Sequence, residues 1–219
     1  MDRRRVQMAV RVLVGAVVSA VALMLWGFMF WVVLSAPGGA TRALPDEPAL
    51  MQTLREHLPA SGTYYFPLPP SPTPSRDDRA AVEAFRQREL AGPIGMIHFR
   101  REGADPLSPF VYVERGLHAF VSSLIAALLL VVALPELEGF VQRTAFVFGL
   151  GVFAAVAVRF SEPIWWHLPW RHFVHGAIYD SVSWLIAGVV LAAIVKPPRG
   201  VPHLTDPSKP LWKRALEVD

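Results

Sequence analysis

The chain has 219 residues, a formal net charge of +3, 53% hydrophobic and 18% charged residues, and a mean hydropathy of +0.37. Soluble domains average about 45–50% apolar and about 25% charged residues, so this composition leans towards the bilayer. There is no cysteine, which excludes disulfides, zinc–thiolate and iron–sulfur ligation by this chain, covalent c-type haem, thiol catalysis and thioether lipid anchors.

Uninterrupted apolar length decides the organisation, because a helix needs about 20 apolar residues to cross the hydrocarbon core. Residues 1–11 form a basic tail with Arg3, Arg4, Arg5 and Arg11. Val12–Ala36 follows without a charge and reads as the first span. Its apolar run is about twice the 7–15 residues of a signal peptide, which favours a retained anchor over a cleaved leader.

Residues 37–115 are soluble in character, with 12 of the 20 prolines, nine arginines and ten acids. Asp46 is expected to cap a helix with an early Pro48; Leu50, Met51, Leu54 and Leu58 fall at helical spacing before Pro59 stops it. Thr63–Phe66 reads as an aromatic strand and Pro67–Ser75 as an extended spacer. A second helix, capped by Asp77 or Ser75, runs through Leu90 with Ala81 and Phe85 on its apolar side, and Gly92 ends it. Ile94–Phe99 reads as a second strand, and Phe110–Val113 is a candidate third. His57 and His98 read as surface residues. A unit this small buries little surface alone, so it is expected to lean on the membrane or on a partner.

Residues 116–134 read as the second span, with His118 near its start, and 135–143 as a short loop. The third span, 144–158, is short; it reaches crossing length if it starts near Gly139 and Arg143 snorkels to the headgroups. Residues 159–173 form a loop, 174–195 the fourth span with Asp180 inside it, and 196–219 a tail with Lys196, Arg199, Lys209, Lys213 and Arg214. Basic span ends favour the cytoplasmic side. The fold class expected is therefore membrane all-α: four transmembrane helices, both termini cytoplasmic, and a small α+β extracytoplasmic domain between helices one and two. The basic tails suit anionic lipid; no base-reading motif points to nucleic acid.

Trp31, Trp165, Trp166 and Trp170 are expected to anchor one membrane interface. Trp212, with Leu211, Ala215 and Leu216, is expected to anchor a short interfacial helix. Gly151-xxx-Ala155 and Gly188-xxx-Ala192 allow close helix contact.

One polar feature stands out. At about 100° per residue, His172, His175, Gly176, Tyr179, Asp180 and Ser183 share one stripe of the fourth span. His118 and Ser122 share a face of the second, with Ser123 beside them. The depths match, so the two stripes are expected to face each other inside the bundle. An aspartate facing lipid there costs roughly 2.5–3.5 kcal/mol. Turned inward, it can accept hydrogen bonds from Ser122, Ser123 or a histidine, take a proton, or pair with Arg159 or Arg171. Three readings compete: hydrogen bonds that hold the helices together, a divalent-metal or b-haem site on His118, His172 and His175, or a protonatable or small-ligand pocket around Asp180.

The layout resembles a loose group of bacterial inner-membrane proteins of unassigned activity, with one anchor helix, a small outside domain and three closing helices. The residues that carry the likeness are "SGTYYFP" at Ser61–Pro67, "AGPIGMIHF" at Ala91–Phe99, and Trp165-Trp166 leading into a span with Asp180 and Trp184. His167, His172 and His175 lie outside the shared pattern. The resemblance implies a bacterial inner-membrane location and brings no activity with it.

No nucleophile–base set, phosphate loop or strong metal motif is visible. The first expectation is a non-catalytic accessory or assembly subunit of a membrane complex, without a cofactor and with protein partners. The alternatives are a small metal- or haem-binding redox protein and a proton-linked transporter or channel subunit using Asp180.

Overall fold

The computed structural model describes residues 3–34, 41–70, 79–137 and 139–197. The caps at Ser75 and Asp77, most of the proline-rich spacer and the helix around Trp212 fall outside these residues. Helix α1 runs Arg3–Phe28 and continues as a π-helical stretch, Met29–Leu34. The inserted unit follows as α2 (Glu47–His57), β1 (Gly62–Phe66), α3 (Arg79–Ala91) and β2 (Gly95–Phe99). Then come α4 (Pro109–Ala133), a 3-10 turn (Leu134–Glu136), α5 (Phe140–Ala154) with a π-helical continuation (Ala155–Arg159), α6 (Ser161–Trp165) and α7 (Trp170–Ile194). Four helical segments, Arg3–Leu34, Pro109–Glu136, Phe140–Trp165 and Trp170–Ile194, are long and apolar enough to cross a membrane. Their outward residues, Leu13, Val17, Val121, Ile125 and Ile178 among them, are exposed hydrocarbon that suits lipid contact.

One sequence expectation is corrected here. Phe110–Val113 is the first turn of α4, not a strand. Pro109 at the first helical position presets the backbone for a helix, and a short apolar run is ambiguous by pattern alone. Helix α5 starts at Phe140 with Gly139 as its N-cap, the start that a full-length third span requires, and Arg143 in its first turn is only 6% exposed. Its guanidinium donates to the Leu137 carbonyl at 3.4 Å. That carbonyl follows the turn between α4 and α5, where helical partners run out.

Helix α1 packs against both α4 and α7, and α5 packs against α7. The Arg11 guanidinium donates to the Lys196 carbonyl at 2.9 Å, which ties the start of α1 to the end of α7. At the opposite end, Phe30 and Trp31 meet His175. The two helices therefore run antiparallel. The packed core, with Val12, Ala127, Leu130, Val147, Ala187 and Leu191, fills the half of the bundle nearest those chain ends. Helices α5 and α7 approach closely because two glycines face occupied space. A Cβ at Gly188 would lie 2.8 Å from the Thr144 carbonyl oxygen, and one at Gly151 would overlap Trp184.

The inserted unit meets the other end of the bundle, where the Tyr65 ring packs edge-on against Trp166 at 5.1 Å. Strands β1 and β2 pair antiparallel, from Gly62 opposite Phe99 to Phe66 opposite Gly95. The Phe66 ring lies over Gly95, where a Cβ would come within 2.7 Å of it. Asp46 caps α2 by accepting the Ala49 N–H at 3.1 Å. Gly92, at φ 61°, ends α3 in the left-handed region.

Arg101 closes the far end of α2. Its guanidinium donates to the carbonyls of Arg55 and Leu58 at 2.8 and 2.9 Å. Arg55 lies in the last turn and Leu58 is the C-cap, and carbonyls at a helix end lack helical partners. Arg101→Ala should fray α2 and cost about 1 kcal/mol; faster amide hydrogen exchange in α2, with β1 and β2 unchanged, is the expected readout.

Ser61 bridges the hairpin: its hydroxyl donates to Glu102 at 2.6 Å and accepts the Arg101 N–H at 2.8 Å. The Ser61 hydroxyl, the Glu102 backbone N–H and the nearby Arg100 and Arg101 hold the Glu102 carboxyl below its ordinary value. A carboxylate lowered on folding stabilises the fold at neutral pH and loses that contribution as pH falls through its folded value. Acidification below the ordinary glutamate range should therefore release Ser61 and speed exchange of the Arg101 amide. Ser61→Ala should remove that pH dependence.

Candidate functional site

The half of the bundle next to the inserted unit is not filled. A cleft of about 1120 Å³ opens there between α1, α4 and α7. Helix α4 contributes Tyr112, Glu114, Arg115, His118, Ala119 and Ser122; α7 contributes Tyr179, Asp180, Ser183 and Trp184. Helix α1 supplies an apolar wall that includes Met24, Leu25, Gly27, Phe28, Trp31 and Val32.

Five of the residues singled out from the sequence thus share one space: His118, Ser122, Tyr179, Asp180 and Ser183. The other three do not line it. Ser123 is fully buried in the helix packing. His172 packs edge-on against Phe173. His175 sits between Phe30 and Trp31, with ring centroids 4.8 and 5.5 Å away. Among the described residues, no group of three His, Asp or Glu side chains is placed to hold a metal ion. The three histidines proposed for metal or haem stand in three different surroundings.

Asp180 has a definite partner. Its carboxylate accepts from Arg159 Nε at 2.7 Å and Nη2 at 3.3 Å. Arg159 ends the π-helical stretch after α5. The guanidinium lies across Gly176, where a Cβ would stand 3.2 Å from Cζ. Glycine at that point leaves the cation room to reach the acid. The pair is neutral as a whole, which removes the cost of a lone aspartate at this depth. Of the partners weighed for Asp180, arginine takes the place that the serines and histidines do not. Ser183 turns to its own helix, its hydroxyl donating to the Tyr179 carbonyl at 2.7 Å.

Sequence reasoning missed α1. It set the second and fourth spans against each other, whereas α1 packs on both. Apart from Val12, its buried residues, Gly15, Ala16, Ser19 and Ala20, are small, and small residues let helix backbones approach. That stripe was the available signal. The end of α1 also carries an aromatic cluster that the sequence did not announce. Trp26 stacks on Tyr179 at 6.4 Å, and Phe30 and Trp31 meet the Tyr179 ring at 5.1 and 5.4 Å. Trp26 Nε1 donates to the Tyr179 carbonyl at 3.4 Å. Trp31 is therefore a packing residue as well as a ring at the bundle end. Trp165 is exposed, Trp166 meets Tyr65, and Trp170 packs against Phe160.

Both π-helical stretches lie at this level, one carrying Phe30 and Trp31, the other Arg159. Such wide turns are frequent at functional sites, where they re-aim side chains.

No known protein family, curated protein or solved structure matches the chain, so the functional reading rests on this geometry.

Proposed function

We propose that this chain is a non-catalytic accessory or assembly subunit of a membrane complex, which holds its inserted unit against a protein partner at one face of the membrane. The observation that carries this reading is the state of α2 and α3, neither of which has a buried residue. Leu50 and Met51 on α2, and Val82 and Leu90 on α3, expose 38–67% of their surface. A unit that leaves its own helices uncovered gains stability when a second surface covers them. The basic residues Arg3, Arg4, Arg5 and Arg11 support a cytoplasmic side for the chain ends. The inserted unit, at the opposite end of the bundle, then faces outward, which in a bacterium is the periplasmic side of the inner membrane.

The test is photo-crosslinking from position 51 or 82 in native membranes, followed by identification of the adduct. One recurrent protein adduct, lost on Val82→Glu, is expected. Crosslinks to lipid alone, with a monomeric protein in mild detergent, would overturn the proposal.

A further inference from the structure

We propose that the cleft between α1, α4 and α7 binds one glycerophospholipid from the leaflet on the side of the inserted unit. The lipid's phosphate would lie on Arg115 and His118, and its acyl chains along α1. Four observations converge. The first is size: about 1120 Å³ exceeds the roughly 300–1,000 Å³ of ordinary small-molecule pockets, as a two-chain amphiphile requires. The second is the division of the lining. The α1 wall is hydrocarbon, and Leu25, Phe28 and Val32 remain 55–67% exposed along it, so the cleft lies open sideways to the bilayer. The third is unspent donors. Arg115, His118 and the Tyr179 hydroxyl line the cleft, and among the described residues none of the three has a hydrogen-bond or ion-pair partner. The Asp180 carboxylate in the same lining does not compete for these donors, because it is already paired with Arg159.

The fourth is position. Arg115 and His118 lie in the second and third turns of α4, where its long apolar run begins and where headgroup phosphates of that leaflet stand. Guanidinium and imidazole donors suit a phosphodiester. Glu114 beside them repels a phosphate but accepts from an ammonium, which favours phosphatidylethanolamine over an anionic headgroup. This site is separate from the surface of α2 and α3, and it stands or falls independently of the accessory role.

The test is native mass spectrometry of the full delipidated chain, titrated in turn with palmitoyl-oleoyl phosphatidylethanolamine, palmitoyl-oleoyl phosphatidylglycerol, dioleoylglycerol and inorganic phosphate. One bound phosphatidylethanolamine is expected, with phosphatidylglycerol weaker and with dioleoylglycerol and phosphate at least tenfold weaker. Arg115→Gln with His118→Gln should weaken phosphatidylethanolamine about tenfold, and Arg115→Lys should keep most of the binding. Ser122→Trp should block the cleft without touching the headgroup donors. Equal binding of dioleoylglycerol, or retention unchanged by both the Arg115/His118 and the Ser122 variants, would overturn the proposal.

Discussion

Replacing Gly151 or Gly188 by alanine is expected to cost the bundle about 2–3 kcal/mol each, while the same change at Gly149 costs nothing. All three glycines face different surroundings on the paired helices α5 and α7. The Cβ at Gly188 would meet the backbone carbonyl of Thr144 at 2.8 Å, and a carbonyl within a helix cannot rotate away. The Cβ at Gly151 would overlap Trp184 near its own Cβ, so rotation about the side chain does not relieve it. In either case the helices must part. Without a hydrophobic driving force between spans, close packing is what holds them together. Nothing lies within 4 Å of a Cβ at Gly149, and there alanine should be neutral or stabilising by up to about 1 kcal/mol. Reversible unfolding of purified variants in mixed micelles measures all three. Equal effects at positions 149 and 151 would mean that the α5–α7 contact is not close.

The second large effect concerns Arg159 and Asp180. Removing one member of a buried ion pair leaves the other charge uncompensated, typically at about 3–5 kcal/mol. These side chains keep 37% and 23% of their exposure, so each single change, Asp180→Leu or Arg159→Leu, should cost less, about 2 kcal/mol. The double variant should recover to within about 1 kcal/mol of the parent, because replacing a whole pair by apolar groups is often neutral. The cycle isolates the coupling. Additive losses would show that the 2.7 Å contact contributes nothing to the fold.

The four long helices were legible because burial in a bilayer demands long apolar runs, and the chain supplies four of them. The α2 cap at Asp46, the α3 stop at Gly92 and the paired strands were legible from local chemistry of the same kind. Phe110–Val113 was not, because a β-like composition at the mouth of a span carries no information about which backbone state closes its hydrogen bonds. The polar residues of α4 and α7 were legible as stripes, since helical period alone places them. Their separation was not. Adjacent serines point about 100° apart, so Ser122 reaches the cleft while Ser123 enters the packing, and sequence spacing does not say which.

The measurement that bears most directly on this arrangement is thiol reactivity at positions 122 and 123. The chain has no cysteine, so each introduced thiol is the only one. With N-ethylmaleimide on the purified protein in mild detergent, Ser122→Cys should react at least tenfold faster than Ser123→Cys, which is enclosed by neighbouring helices. Equal rates, or faster reaction at position 123, would contradict a cleft bounded by α1, α4 and α7.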